Sequence, residues 1–331
     1  MRLASYPRFP LVNEPTPLQR AERLEKALGP NAPRIYIKRD DLTGLAYGGN
    51  KARKLEYLVA DALKQGATVL ITEGATQSNH ARMTAAAAVL AGLKCILMLD
   101  ARNGAIEDGN LLLDRMMGAD VRIFPTWEGR KAAMQTIGDE LRAQGEVPYI
   151  VPTGGSVPMG SLGYVRATIE LESQLLELGE VPSRVYFPTG SEGTLAGIVV
   201  GARVLGVSWQ PLPVAVEGSA KEMVKAAMPI IEGTLELLGS DRCVDPAEIT
   251  IEDQFTGAGY GIPTDEGMEA INLLSRNEAI FLDPVYTGKA MSALIAHIRE
   301  GVFAPDDSVV FIHTGGTPSL FVHRDLILSR L

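Results

Sequence analysis

The sequence predicts an α/β protein built as two three-layer α/β/α domains with mostly parallel sheets. Three observations lead there. Short apolar runs alternate with amphipathic segments, as buried parallel strands alternate with the helices that cover them. Glycine is abundant, at 34 residues against 20 prolines, which suits many tight strand-to-helix turns. A length of 331 residues suggests two domains, at roughly 150 residues per domain.

Residues 7–33 are punctuated by proline, with one amphipathic helix expected over 18–28. Arg34 to Lys38 alternates and reads as a strand. A loop ending Gly48-Gly49-Asn50 leads to a helix over 51–65, whose apolar face carries Leu55, Leu58, Val59 and Ala62. Gly66 closes it. Strands are then expected over 68–72, 95–99, 121–124 and 149–151, alternating with helices over 79–91, 110–117 and 130–143. A long helix over 161–178 follows. Strands over 184–187 and 213–216 flank a helix over 194–205, and a last strand spans 308–313. The two α/β blocks cover about 68–151 and 184–331. The expected domains are 48–160 for the smaller, and 1–47 with 161–331 for the larger.

Composition bounds the function. Apolar residues make up 46% and charged residues 21%, ordinary for a globular protein. The net charge of −9 and the lack of a Lys/Arg run argue against a nucleic-acid partner. The longest apolar stretch, 84–93, is too short for a bilayer, so no membrane partner is expected. No apolar signal region opens the chain, so the cytoplasm is the expected location. Two cysteines, Cys95 and Cys243, are too few for a disulfide scaffold and show no metal-ligand spacing. The four histidines are scattered, His297 reading as a polar surface residue on a helix. No metal site is expected.

In open α/β sheets ligands gather at the carboxyl ends of the strands. Four segments stand there. Thr189-Gly190-Ser191-Glu192-Gly193-Thr194 joins a strand to a helix, and the free N–H groups of that helix start suit an anion. Its glycines are not spaced as a dinucleotide fingerprint, and a merely tight turn is the alternative. Gln77-Ser78-Asn79-His80 starts another helix. Its Ser and Asn serve either as caps or as holders of a substrate carboxylate. Gly48-Gly49-Asn50-Lys51 puts a lysine at a helix start, where a full ammonium charge is disfavoured. Lysine is also the residue that forms imines with carbonyl groups. Of the ten lysines, Lys51 is the first candidate and Lys289, after Tyr286-Thr287-Gly288, its rival. Asp283 to Gly288 and His313 to Gly316 place hydroxyls beside glycines at element ends.

Taken together, these segments resemble pyridoxal-phosphate enzymes of the tryptophan-synthase-β fold. More closely, they resemble the ACC deaminase and D-cysteine desulfhydrase family. Ile37-Lys38-Arg39-Asp40-Asp41 and Arg53-Lys54-Leu55-Glu56 join the segments above in carrying the likeness, which runs from about Pro7 to Phe321. The resemblance implies pyridoxal 5'-phosphate in the cleft between the domains. It implies that Lys51 carries the cofactor as an imine, that Asn79 lies near the phenolic oxygen, and that residues 189–194 cup the phosphate. Thr314 would face the pyridine nitrogen. Ser78, Tyr260 and Tyr286 join Lys51 as the implied catalytic residues, and Gln77, Ser78, Asn79, His80 and Thr287 as substrate contacts. A homodimer is also implied.

Thr287 and His80 resemble the desulfhydrase branch, since ACC deaminases carry glutamate and glutamine at the matching positions. A carboxylate near the pyridine nitrogen would strengthen the electron sink; its absence suits elimination of a good leaving group. The reaction implied is α,β-elimination of a small β-substituted amino acid, D-cysteine giving pyruvate, ammonia and hydrogen sulfide. Lys51 would serve as the base at Cα. L-cysteate sulfo-lyase and ACC deaminase chemistry are the alternatives within the family. A sulfonate would want Arg82 or His80 as a cationic partner. A nucleotide-binding oxidoreductase with Glu217 on a ribose, or an inactive amino-acid binder, stand as alternatives of other classes.

Overall fold

The computed structural model describes residues 2–102, 104–304 and 306–331. In chain order the elements that build the layers begin with β1 (Leu18–Arg20), α1 (Glu22–Leu28), β2 (Arg34–Lys38), α2 (Lys51–Lys64) and β3 (Val69–Ala75). Next come α3 (Asn79–Ala91), β4 (Lys94–Asp100), α4 (Gly109–Met116), β5 (Asp120–Phe124), α5 (Trp127–Ala143) and β6 (Pro148–Val151). Then follow α6 (Pro158–Leu178), β7 (Arg184–Thr189), α7 (Gly193–Leu205), β8 (Gln210–Ala215), α8 (Ala220–Leu238), α9 (Asp265–Glu278), α10 (Thr287–Arg299) and β9 (Ser308–Ile312).

Two sheets result. One has the order β5-β4-β3-β6 and is wholly parallel. The other has the order β1-β2-β9-β7-β8 and is parallel except for β1 against β2. Burial explains the parallel strands. Val69, Leu70 and Ile71 of β3 are fully buried, as are Val309, Val310 and Phe311 of β9. Strands covered on both faces need such continuous apolar runs.

Three expectations change. Residues 18–20 form a strand, not the start of a helix. Leu18, Ala21, Leu24 and Leu28 carry a helical spacing, but pairing of Leu18 with Lys38 and Arg20 with Tyr36 overrides it at the sheet edge. β8 begins at Gln210 despite Pro211 and Pro213, because it too is an edge strand and a missing N–H costs little there. His297 is not a surface residue: it is half-buried, with Nδ1 2.8 Å from the Tyr186 hydroxyl.

The chain crosses between the sheets through α2 and α6, which pack on one another. Their contact is close enough that a Cβ at Gly163 would lie 2.2 Å from the Arg53 carbonyl oxygen. Buried charges fill this junction. Arg53 donates to Asp40 at 2.8 and 2.9 Å and to Glu170 at 2.9 and 3.0 Å, while Tyr164 donates to Asp40 at 2.7 Å. Lys38 pairs with the same Glu170. This network fixes α2, and therefore Lys51, against the larger sheet.

Candidate active site

A pocket opens between the carboxyl ends of the two sheets, and four helix N-termini meet there. Lys51 starts α2, Ser78 and Asn79 start α3, Glu192 precedes α7, and Tyr286 precedes α10. Helix N-termini carry partial positive charge and unpaired N–H groups. The pocket is therefore suited to an anionic guest, and hostile to a fully protonated lysine.

Lys51 stands in its wall. Burial lowers its ammonium to about 8, with the Glu192 carboxylate pulling weakly the other way. The turn before it is tightly determined. Residues 46–49 all have positive φ. A Cβ at Gly48 would lie 1.9 Å from the Asp41 carbonyl oxygen, and one at Gly49 would lie 2.6 Å from Met83 Cε. The next residue, Asn50, reaches across to Thr194 of the other sheet's α7 at 3.0 Å.

On the α3 side, Ser78 is an N-cap, accepting from the Ala81 N–H at 3.2 Å. It also lines the pocket, so capping and site readings hold together. Asn79 has a fixed amide orientation. Its Oδ1 accepts from Arg82 at 3.2 Å and from Asn110 at 3.1 Å, which leaves its NH2 to face the pocket as a donor. His80 lines the pocket but is held from behind, Nε2 lying 2.8 Å from Thr72 Oγ1. Burial, then the charges of Lys51 and Lys54, push its pKa well below the usual histidine value, so it is neutral.

On the opposite wall, Thr189, Gly190, Ser191, Glu192 and Thr194 line the pocket. Glu192 is left-handed at φ 57°, a strained state for a non-glycine residue. Burial raises its carboxyl to about 7. The Tyr260 and Tyr286 hydroxyls meet at 2.5 Å, their rings edge-to-face, and Thr314 lines the same space. Burial raises both tyrosine pKa values, so the pair is protonated and can donate.

Three expected site residues lie elsewhere. Gln77 turns away to hold the 106–110 segment, donating to the Ile106 and Asp108 carbonyls and accepting from Asn110 N–H. Gly193 directs its N–H to Ser191 O and Ser156 Oγ, and sits where a Cβ would strike Lys54 Nζ at 2.8 Å. Thr287 is fully buried behind the wall, its hydroxyl 2.7 Å from Asp283 Oδ1. It is thus a helix-cap partner and not a substrate contact. Lys289 does not face the pocket at all, which leaves Lys51 without that rival.

Three residues that no sequence reading assigned to the site also bear on it, Lys54 from behind the pocket wall and Arg102 and Arg130 from within it. Lys54 lies one helical turn after Lys51, the i,i+3 spacing that puts both on one face of α2. It donates to Gly154 O at 3.0 Å beneath the 189–194 loop. Burial and the Lys51 charge drive its pKa well below the lysine norm. Arg102, partly exposed, and Arg130, buried, line the pocket, each engaged by a carboxylate. Arg102 pairs with Asp100 at 2.7 Å, and Arg130 with Asp100 at 2.5 Å and Glu73 at 3.0 Å. No sequence motif marks them.

The family model for pyridoxal-phosphate dependent enzymes matches residues 10–315. The chain belongs to that family. Among its relatives, D-cysteine desulfhydrases of Salmonella newport and Salmonella typhi are each 42% identical over 330 residues, covering 97% of this chain and 98% of theirs. A solved structure described as an ACC deaminase homologue superposes with a TM-score of 0.90 at 39% identity, covering 99% of this chain and 98% of the other. A solved threonine deaminase shares the fold alone, with a TM-score of 0.64 at 20% identity, covering 91% of this chain and 92% of the other.

The residues present fit the family's cofactor. Thr189 Oγ1 is buried in this wall with no hydrogen-bond partner, an orphan that a guest would satisfy. The first turn of α7, with the pocket-lining Thr194, offers the N-terminal N–H groups that suit a phosphate, and Lys54 adds a buried cation behind that wall. Lys51, with its lowered pKa, is the amine that a carbonyl cofactor requires. Among the described residues no group of histidine, cysteine and carboxylates could hold a metal, and no helix is long and apolar enough to cross a membrane.

Proposed function

We propose that the protein is a pyridoxal-phosphate lyase that removes hydrogen sulfide from D-cysteine, consuming one water and releasing pyruvate and ammonia. One observation carries the reading: the chain-long 42% identity to D-cysteine desulfhydrases is joined to a single pocket holding Lys51, Ser78, Asn79, Tyr260 and Tyr286.

When bound, the cofactor supplies the electron sink. The chain's residues do the rest. Lys51 would hold the cofactor, and its amine, with a lowered pKa, would take the proton from Cα. The Ser78 hydroxyl and the Asn79 NH2, at the α3 N-terminus, hold the substrate carboxylate and phenolic oxygen in place. The protonated Tyr260–Tyr286 pair delivers a proton to the departing sulfur. Thr189, Gly190, Ser191 and Thr194 would hold the cofactor's phosphate, with the Lys54 ammonium behind them, and Thr314 would stand on the pyridine side.

Charge supports a thiol leaving group over a sulfonate. Arg102 and Arg130 are already paired with carboxylates. His80 is neutral, and Arg82 lies outside the pocket, donating to Asn79, Asn110 and Gly48 O. Glu217 adds an acidic group to the wall. We take residues 48–160 as one jaw of the cleft, and 1–47 with 161–331 as the other. The enzyme acts as a cytoplasmic homodimer; light scattering at twice the 35.5 kDa chain mass checks the dimer.

The test offers the cofactor-loaded enzyme D-cysteine, L-cysteine, L-cysteate and ACC separately. Equal amounts of sulfide and pyruvate from D-cysteine alone are expected. Sulfite from L-cysteate, or 2-oxobutyrate from ACC, at a higher kcat/KM would overturn the substrate assignment while keeping the family.

A further inference from the structure

Lys289 has no place in the reaction above, yet its ammonium is fully buried. Among the described residues, no carboxylate lies within ion-pair distance of it. Instead it donates to three main-chain carbonyls: Val216 O at 3.2 Å, Thr256 O at 2.7 Å and Gly259 O at 2.9 Å. Glu217 and Asp283 act on it only at longer range. Lys289 is also in the first turn of α10, where the helix dipole opposes a positive charge. Burying an ammonium without a counter-ion is costly, and a methionine would fill the same space without that cost.

What the charge does follows from where the carbonyls come from. Val216 follows the end of β8, immediately before Glu217. Thr256 and Gly259 belong to the loop that leads straight into Tyr260. Three carbonyl oxygens aimed at one point repel one another unless a cation sits between them. Among the described residues, Lys289 is the cation that they surround.

We infer that Lys289 is a positioning residue: its ammonium acts as a built-in cation that clamps the 256–259 loop to the end of β8 and to α10. The clamp sets Tyr260 at its short contact with Tyr286, which stands at the start of α10. The inference rests on the reading that this tyrosine pair serves the reaction.

Removing the side chain leaves a cage of three carbonyls that a small cation can enter. In cofactor-loaded Lys289→Ala, kcat falls at least tenfold in choline chloride, with KM within about twofold of wild type. Ammonium or methylammonium at the same ionic strength restores kcat several-fold and raises the melting temperature of this variant, but leaves wild type unchanged. Lys289→Met, which fills the cage, loses kcat and responds to neither ion. A Lys289→Ala enzyme with wild-type kcat, or one whose kcat and melting temperature ignore ammonium, would overturn the clamp. Tyr260→Phe, measured alongside, separates the two readings. If Tyr260→Phe keeps full kcat, the Tyr260 hydroxyl has no part in the reaction and the clamp is overturned as a positioning device. Loss of kcat in Tyr260→Phe with no cation response in Lys289→Ala overturns the clamp alone.

Discussion

Two buried aspartates flank the site and behave in opposite ways. Asp40, behind α2, accepts from Arg53, Tyr164 and Thr16; burial raises its pKa, but Arg53, Lys38 and Tyr164 hold it below the usual carboxylate value. Asp114, on α4, is just as buried, but neither oxygen has a hydrogen-bond partner, and burial drives its pKa up to about 8. Arg82 is the opposing charge that acts on it most, and it directs its N–H groups to Asn79, Asn110 and Gly48 O instead. Depth of burial therefore does not decide the charge state alone; a nearby cation that also donates hydrogen bonds does. The Asp40 cluster fixes the helix bearing Lys51. The Arg82 cluster leaves its acid unsatisfied while aiming Asn79.

The largest test of that contrast is Arg53→Met. It removes the guanidinium shared by Asp40 and Glu170, leaving Asp40 with only hydroxyl donors and Glu170 with Lys38, and should cost about 3–5 kcal/mol in denaturant unfolding. A loss under about 1 kcal/mol would mean that the cluster is a passive filling.

Asp114→Asn should act in the other direction. In wild type the folded state keeps a proton that the unfolded chain loses, between the ordinary value of 3.8 and about 8. Stability then falls as pH rises through that window, by up to about 1.4 kcal/mol per pH unit. The asparagine variant lacks this slope, so it should gain over wild type at pH 8 and not at pH 4. Parallel melting curves at both pH values would refute the assignment.

The smallest effect is expected from Arg82→Met. Asn110 still donates to Asn79 Oδ1, so cofactor affinity should weaken only several-fold in an equilibrium titration followed by absorbance. A hundredfold loss would give Arg82 a direct role.

Much of this was readable in the sequence, for reasons that differ by residue. The parallel strands declared themselves because both of their faces are buried. Lys51, Ser78, Asn79, Tyr286 and the 189–194 loop were recognisable because a glycine turn or helix start must bring them to a strand end. β1 was misread because three residues of edge pairing outweighed a helical spacing. Thr287 and Gln77 were misplaced because sequence adjacency to the site says nothing of side-chain direction. Lys54 was not read as a site residue, although its i,i+3 spacing from Lys51 is a signal that could have marked it. Arg102 and Arg130 are held in the pocket lining by Asp100, and Arg130 by Glu73 as well, pairings that no local pattern announces.

The account turns on which lysine carries the cofactor. Borohydride reduction of the loaded enzyme, followed by peptide mass mapping, answers this directly. The account predicts the pyridoxyl mass on Lys51 alone. Its appearance on Lys54 or Lys289 would contradict the site as described.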